Sequence, residues 1–252
     1  MTTPLVVGVS FKMYFSHARA RQWFAEVASS LGGHPALATG RVELFVLPTY
    51  LQIADAVEAL SNTPIRVGAQ DVAATDEGSF TGEVSAAELA EIGATIAEVG
   101  HLERRALYGE TDDIVAAKTA AALRAGLTPL ICVGGSERDD DDAGRAAVEQ
   151  LERALAAAPT GRVLVAYEPG WAIGAAQPAP ASHIAAVSGA LRASLSESER
   201  AGSAVLYGGS AGPGLLTELN GAVDGLFLGR FAHDPAQLAR VVDDADALTR
   251  QP

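Results

Sequence analysis

The sequence predicts a single-domain (β/α)₈ barrel, an α/β fold in which eight parallel strands are each followed by a helix. Its 252 residues match the length of about 250 that is typical of such barrels. Eight short apolar runs recur along the chain, with amphipathic segments between them. No change in composition divides the chain, so we expect one domain over residues 1–252. A doubly wound open sheet is the alternative arrangement of the same elements.

The apolar runs are nearly continuous rather than alternating in polarity. This pattern is typical of parallel strands that helices cover on both faces. The predicted strands are Leu5–Val9, Val42–Leu47, Ile65–Gly68, Thr95–Val99, Thr128–Val133, Val163–Tyr167, Ala204–Tyr207 and Gly225–Leu228.

Helices are predicted between these strands. Ser16–Leu31 opens with a serine cap, and Thr111–Arg124 opens with Thr-Asp-Asp, whose acids suit a helix N-terminus. The acidic run Asp139–Asp142 is predicted to be a solvated loop before the next helix, rather than a metal site. Helices with similar spacing are predicted at Ala143–Ala157, His183–Leu195 and Pro235–Leu248.

Composition limits the function classes. The net charge of −13 argues against nucleic acid, because phosphate backbones require a basic surface. The one cysteine, Cys132, excludes a disulfide framework and fits a reducing compartment. The N-terminus has no basic region followed by a long apolar stretch, and no apolar run reaches the roughly 18 residues of a membrane span. We therefore expect a soluble, cytoplasmic protein with no membrane or nucleic-acid partner.

Candidate catalytic residues follow the first and fourth strands, because barrels of this kind place their chemistry at the carboxyl ends of strands. Lys12, just after the first strand, either binds an anion or is a solvated surface charge. His101 opens a short helical turn whose N-terminal dipole disfavours imidazolium. A neutral imidazole donates a hydrogen bond to a carbonyl or enediolate oxygen, although a structural histidine is the alternative. Glu103 is placed to pair with Lys12 and fix its ammonium toward the mouth.

Glu168 directly follows the sixth strand and precedes an apolar segment that runs from Pro169 to Pro178 and contains Trp171. A carboxylate at the mouth followed by such a segment indicates a general base beneath a lid that excludes water. An ordinary connection with a packed tryptophan is the alternative.

Glycine-rich turns follow the last two strands. The first contains Gly208, Gly209 and Ser210, and the second contains Gly229 and Arg230. Glycines let backbone N–H groups close on a phosphate. The two turns together predict a phosphate site, and hence a small phosphorylated substrate.

These segments together resemble the triosephosphate isomerase family, and the resemblance covers nearly the whole chain. It rests on GVSFKM, GAQD with GSFTGEVS, GHLERR, YGET, YEPGWAIG, YGGSAGP and DGLFLGR, in the family's order. The resemblance implies a TIM (β/α)₈ barrel that isomerises a small phosphorylated sugar through an enediolate. It also implies that no cofactor or metal takes part.

The family's residue roles carry over to matching positions. Lys12 becomes the electrostatic clamp, His101 the electrophile and Glu168 the base, which is the division of roles established for this family. The resemblance also implies a homodimer through the loop 71–83, with Thr81 entering the partner's site. The phosphate positions are matched by Gly174, Gly208, Gly209, Ser210 and Gly229.

Two departures from the family lie near the substrate. Ser10 stands where the triosephosphate enzymes have asparagine, which removes an amide donor and leaves room for a further hydroxymethyl group. Arg230 replaces the second glycine after the eighth strand and places a guanidinium near the phosphate. We expect the two residues at opposite ends of the pocket. Other departures are Asp71, Leu102, Gly135, Gly170 and the segment 175–178.

The pairing of Ser10 with Arg230 resembles the branch of the family that isomerises four-carbon ketose phosphates. The sequence therefore favours conversion of L-erythrulose 1-phosphate to D-erythrulose 4-phosphate. Triosephosphate isomerisation, glyceraldehyde 3-phosphate to dihydroxyacetone phosphate, is the alternative. A paralogue that binds a sugar phosphate without turnover is a third reading, which the intact Lys12, His101 and Glu168 disfavour.

Overall fold

The predicted strands close into one barrel in the order β1-β2-β3-β4-β5-β6-β7-β8, with neighbouring strands parallel. The computed structural model describes residues 4–198 and 200–250. Because β1 also pairs with β8, the first and last strands are neighbours. The strands are β1 (Leu5–Ser10), β2 (Val42–Leu47), β3 (Arg66–Ala69), β4 (Ile96–Val99), β5 (Thr128–Val133), β6 (Leu164–Tyr167), β7 (Ala204–Tyr207) and β8 (Gly225–Leu228).

Each strand boundary lies within one residue of its predicted position. Ser10 belongs to β1 because it pairs with Leu47 of β2. Arg66 begins β3 because it pairs with Phe45. The ends of these strands depend on which residues pair with the neighbouring strand, and apolar runs in the sequence do not reveal that pairing.

Helices cover the barrel, and Ser16 and Thr111 cap two of them as predicted, accepting from the N–H groups of Arg19 and Ile114. Among the described residues, no helix is long and apolar enough to cross a membrane. The helices are α1 (His17–Leu31), α2 (Pro35–Ala38), α3 (Ile53–Leu60), α4 (Ala86–Glu91), α5 (Leu102–Tyr108), α6 (Asp112–Arg124), α7 (Asp140–Leu155), α8 (Ala181–Glu197), α9 (Leu215–Leu219) and α10 (Pro235–Thr249), with 3₁₀ turns at Tyr50–Gln52 and Arg230–His233.

The loop predicted for the acidic run is wrong. Asp139 is the N-cap of α7 and accepts from the N–H groups of Asp141 and Asp142, and the helix begins at Asp140. Carboxylates near a helix N-terminus are stabilised by its unpaired N–H groups and dipole. These acids therefore form the first turn instead of preceding it.

The inward-facing strand residues fill the barrel with an apolar core of their own. Gly8 belongs to this packing, since a Cβ there would lie 2.1 Å from the Cζ atom of Phe45. Glu98 of β4 is an acid with the same inward orientation as Ile96, two residues away, and is only 2% exposed. The core comprises Val6, Phe45, Leu47, Ile96, Leu130, Cys132, Leu164, Ala166, Ala204, Leu206 and Phe227.

A buried ion network joins the end of β3 to α6. The Lys118 ammonium contacts both oxygens of Asp71, at 2.7 and 2.8 Å, and Glu110 Oε1 at 2.5 Å. Arg104 contacts the same two acids at 2.8 and 2.6 Å. Asp71, a departure from the family, is thereby explained as a partner of two cations.

Candidate active site

A cavity of about 560 Å³ opens at the carboxyl ends of the strands. All eleven site residues predicted from the sequence line it, and its size suits a small ligand. They are Ser10, Lys12, His101, Glu103, Glu168, Gly174, Gly208, Gly209, Ser210, Gly229 and Arg230.

Glu168 follows β6 and is 3% exposed. The backbone fixes its position, because its N–H donates to Val133 O at 2.8 Å. Gly208 leaves room for its side chain, since a Cβ at Gly208 would lie 2.9 Å from Glu168 Cγ. Burial raises the pKa of the Glu168 carboxyl, while the nearby His101 and Lys12 oppose that rise. The site thus holds a carboxylate whose proton affinity exceeds that of an exposed glutamate.

His101 faces this carboxylate. Its Nδ1 accepts a hydrogen bond from the Glu103 N–H at 3.0 Å, so the neutral ring carries its proton on Nε2. Nε2 lies 3.5 Å from Glu168 Oε1. A ring N–H donor and a carboxylate acceptor therefore lie side by side at the mouth.

Lys12 adopts a left-handed backbone conformation with φ of +47°, which is strained for any residue but glycine. Gln70 stabilises this turn by donating to the Lys12 carbonyl at 3.0 Å. The Lys12 ammonium lies 2.7 Å from Glu103 Oε1. The predicted pairing of Lys12 with Glu103 is confirmed, and it holds the ammonium at the cavity.

The glycine turns present backbone donors to the cavity. Within the described residues, the N–H groups of Gly174, Gly209 and Gly229 donate to no protein acceptor. Ser210 differs from this expectation, because its N–H donates to Ala172 O at 3.1 Å and its hydroxyl to Ala175 O at 2.7 Å. Its donors hold the loop after Glu168 in this conformation, so the unengaged N–H groups are those of the glycines.

The segment after Glu168 is fastened at both ends. Trp171 Nε1 donates to Glu137 O at 3.0 Å, and the Ala179 N–H donates to the Tyr207 hydroxyl at 2.8 Å. Residues 173–176 line the cavity between these points. The segment therefore forms part of the cavity wall, and its role as a lid that excludes water stays a prediction.

Ser10 and Arg230 have neighbouring backbones, because Val9 pairs with Leu228, so that Ser10 at the end of β1 lies beside the segment that follows β8. That their side chains act at opposite ends of the pocket stays a prediction. Arg230 Nη2 extends to 3.7 Å from the point that a Cβ on Gly174 would occupy. The guanidinium makes no ion pair with any described residue, and it lies beside the glycine turns.

His233 also lines the cavity and was missed in the sequence. Its Nε2 is buried without a hydrogen-bond partner among the described residues, and the ring packs against Phe15 at 4.7 Å between centroids. Burial lowers the pKa of His233, and nearby Arg19 and Arg230 add to this effect. The sequence signal that could have found it is its position five residues past the end of β8, within reach of the mouth.

The fold and this cavity define a (β/α)₈ barrel with its reactive groups at the carboxyl ends of the strands. The triosephosphate isomerase family model matches residues 5–245. The chain is 44% identical to an L-erythrulose-1-phosphate isomerase of Pectobacterium atrosepticum, covering 98% of each chain. It is 39% identical to a triosephosphate isomerase of Mycobacteroides abscessus, covering 94% of this chain and 95% of that one.

A crystal structure of triosephosphate isomerase from Bartonella henselae superposes with a TM-score of 0.82 at 27% identity, covering 98% of this chain and 99% of the other. The chain belongs to the triosephosphate isomerase family. These similarities confirm the predicted family, the (β/α)₈ fold and the isomerase class.

Proposed function

We propose that this enzyme interconverts two four-carbon ketose phosphates, L-erythrulose 1-phosphate and D-erythrulose 4-phosphate. One observation carries the choice of substrate: Arg230, unpaired and beside the glycine turns, shares the cavity with Ser10 and the Lys12, His101 and Glu168 set. The Pectobacterium relative, whose name states the four-carbon substrate, supports the same choice.

The residues present can carry out the carbonyl shift without a further group. Glu168 takes the proton from the carbon beside the carbonyl, and His101 Nε2–H donates to the carbonyl oxygen as negative charge develops. The Lys12 ammonium offsets the charge of the resulting enediolate. His101 Nε2 passes a proton to the former carbonyl oxygen and takes up the hydroxyl proton of the carbon that Glu168 deprotonated. Glu168 then returns its proton to the former carbonyl carbon, so the carbonyl moves by one carbon with no net gain or loss of atoms.

D-erythrulose 4-phosphate is glyceraldehyde 3-phosphate in which a hydroxymethyl group replaces the aldehyde hydrogen. L-erythrulose 1-phosphate is dihydroxyacetone phosphate in which a hydroxymethyl group replaces one hydrogen of the carbinol carbon. Ser10 is smaller than the family's asparagine and is buried at the cavity wall, where it leaves room for this group. The Arg230 guanidinium provides a planar set of donors that suits phosphate oxygens. It acts together with the unengaged N–H groups of Gly174, Gly209 and Gly229.

Triosephosphate isomerisation is the second candidate, because the Lys12, His101 and Glu168 arrangement serves that reaction equally well. The 39% identity to the Mycobacteroides enzyme supports it. The two candidate functions share the same catalytic residues, and only the residues around the substrate select between them. Substitutions of those surrounding residues therefore distinguish the two functions.

Ser10→Asn combined with Arg230→Gly is expected to narrow the preference for the four-carbon substrate by about tenfold or more, since about 1.4 kcal/mol of transition-state binding changes kcat/KM tenfold. The measurement is kcat/KM for both substrates. Arg230→Met serves as a companion variant that removes the charge but fills the space. An unchanged ratio in the double variant would show that Ser10 and Arg230 do not select the substrate.

We further propose a cytoplasmic homodimer that uses the loop 71–83, with Thr81 in the partner's site. Three exposed apolar side chains follow the adjacent strands β1, β2 and β3: Met13 is 92% exposed, Leu51 89% and Phe80 50%. Large exposed apolar groups in one sector of a barrel favour a protein contact.

Phe80→Asp is expected to raise the dimer dissociation constant at least about tenfold, because it places a charge in an apolar contact. Light scattering at micromolar concentration would report wild type at twice the chain mass. Ile114→Asp, on α6, is the control and should leave the mass unchanged. A wild-type monomer with full activity would refute the proposed insertion of the loop.

A further inference from the structure

Glu98 is a buried acid that the proposed mechanism does not use. It lies on β4, faces the barrel interior and is 2% exposed. Inward positions of such barrels are ordinarily filled by apolar side chains. An acid buried at this depth, directly below the mouth, is therefore a candidate for a chemical role.

Its polar contacts lead to the active site. The Cys132 thiol lies 3.7 Å from Glu98 Oε1. One carboxyl oxygen of Glu98, one of Glu168 and the Cys132 sulfur all lie within 4.8 Å of one another. Glu168 Oε2 is buried and has no hydrogen-bond partner among the described residues. Glu98 therefore lies next to the carboxylate of the proposed base, one oxygen of which is unengaged among the described residues.

The surrounding charges decide where a proton resides. Burial, with Glu168 and Asp71 adding to it, raises the pKa of Glu98 well above its ordinary value, and the Lys12 ammonium opposes this. Two neighbouring carboxyls in one low-dielectric site do not both ionise readily.

Glu168 is the better site for the negative charge. It has His101 Nε2 at 3.5 Å, and His101, the Lys12 ammonium and the Leu102 backbone all oppose the rise in its pKa that burial causes. Glu98 has the Cys132 thiol, a weak donor. The proton is thus retained on Glu98 while Glu168 is ionised.

We infer that Glu98 is a positioning residue whose neutral carboxyl donates its O–H to Glu168 Oε2 and orients the base toward the substrate. The terminal torsion of a glutamate is soft, so the two carboxyls can reach hydrogen-bond distance by rotation. This inference rests on the proposed role of Glu168 as base.

Two substitutions of Glu98 test the inference through the dependence of kcat/KM on pH. The acid limb of that profile, where kcat/KM rises with pH as the base loses its proton, reports the pKa of the base in the free enzyme. Glu98→Gln keeps a donor of the same size, so we expect the limb within about 0.3 pH units of wild type. Glu98→Leu removes the donor, so the limb should move up by about one pH unit and kcat should fall about tenfold. Ile96→Val, one layer deeper on β4, is the packing control and should leave the limb in place.

Other outcomes overturn the inference in distinguishable ways. A downward shift of the limb in Glu98→Gln would mean that Glu98 is ionised in the wild type. If the acid limb of the kcat/KM profile stayed at its wild-type pH in both variants, Glu98 would have only a packing role.

Infrared spectroscopy at pH 7 gives a readout that requires no turnover. The wild type should show the C=O stretch of a protonated carboxyl, and Glu98→Gln should lose it. Absence of that band in the wild type would contradict the inference even if Glu168 proves to be the base. Presence of the band with a Glu168 that is dispensable would instead refute the proposed function.

Discussion

Glu168→Asp is expected to lower kcat by about 10²-fold while KM changes by less than about threefold. Aspartate keeps the charge but withdraws the carboxylate by one C–C bond, about 1.5 Å. The side chain is 3% exposed and packs against Gly208, so solvent is poorly placed to bridge the gap. The proposed phosphate contacts come from the glycine turns and not from this carboxylate, so substrate binding should change little.

Steady-state kinetics with the four-carbon and three-carbon substrates would measure this effect. Glu218→Asp, an exposed change of the same kind on α9, is the matched control and should keep wild-type turnover. Equal unfolding midpoints would show that the loss is chemical. Near-normal turnover of Glu168→Asp would remove Glu168 from the role of base.

Lys118→Met is expected to lower the free energy of unfolding by about 3–5 kcal/mol, because it leaves buried acids without their main cation. The Lys118, Asp71 and Glu110 side chains are each less than 10% exposed. Hydrogen bonds from Lys118 and Arg104 hold the pKa of Glu110 below its ordinary value against the effect of burial. Methionine fills the volume but compensates neither carboxylate.

Urea unfolding at neutral pH would measure this loss. Arg124→Met is the control, because its pair with Asp76 is exposed and should contribute less than about 1 kcal/mol. The deficit of Lys118→Met should shrink as the pH falls and the unpaired acids take up protons. Equal, small losses in the two variants would show that the network does not stabilise the fold.

The fold was predictable because its strands are buried on both faces and read as separate apolar runs. Short helices were not, since α3, α4 and α9 have five to eight residues, too few to establish a helical period. The start of α7 was misplaced because four acids resemble a solvated loop until the cap of Asp139 is seen.

The site was predictable where a residue lies within two positions of a strand's carboxyl end, as Lys12, His101 and Glu168 do. Glu98 was not, because it lies within a strand, and only the register of β4 shows that it faces the interior below Glu168. The closeness of the Ser10 and Arg230 backbones was not predictable from residues far apart in the sequence, because it follows from barrel closure, which makes β1 and β8 neighbours.

The ratio of kcat/KM for L-erythrulose 1-phosphate to kcat/KM for a triose phosphate, measured on the wild-type enzyme, tests the central claim most directly. The room beside Ser10 and the unpaired guanidinium of Arg230 predict a ratio above one. A triose preference greater than about tenfold, equivalent to about 1.4 kcal/mol of transition-state binding, would contradict the claim and identify an ordinary triosephosphate isomerase.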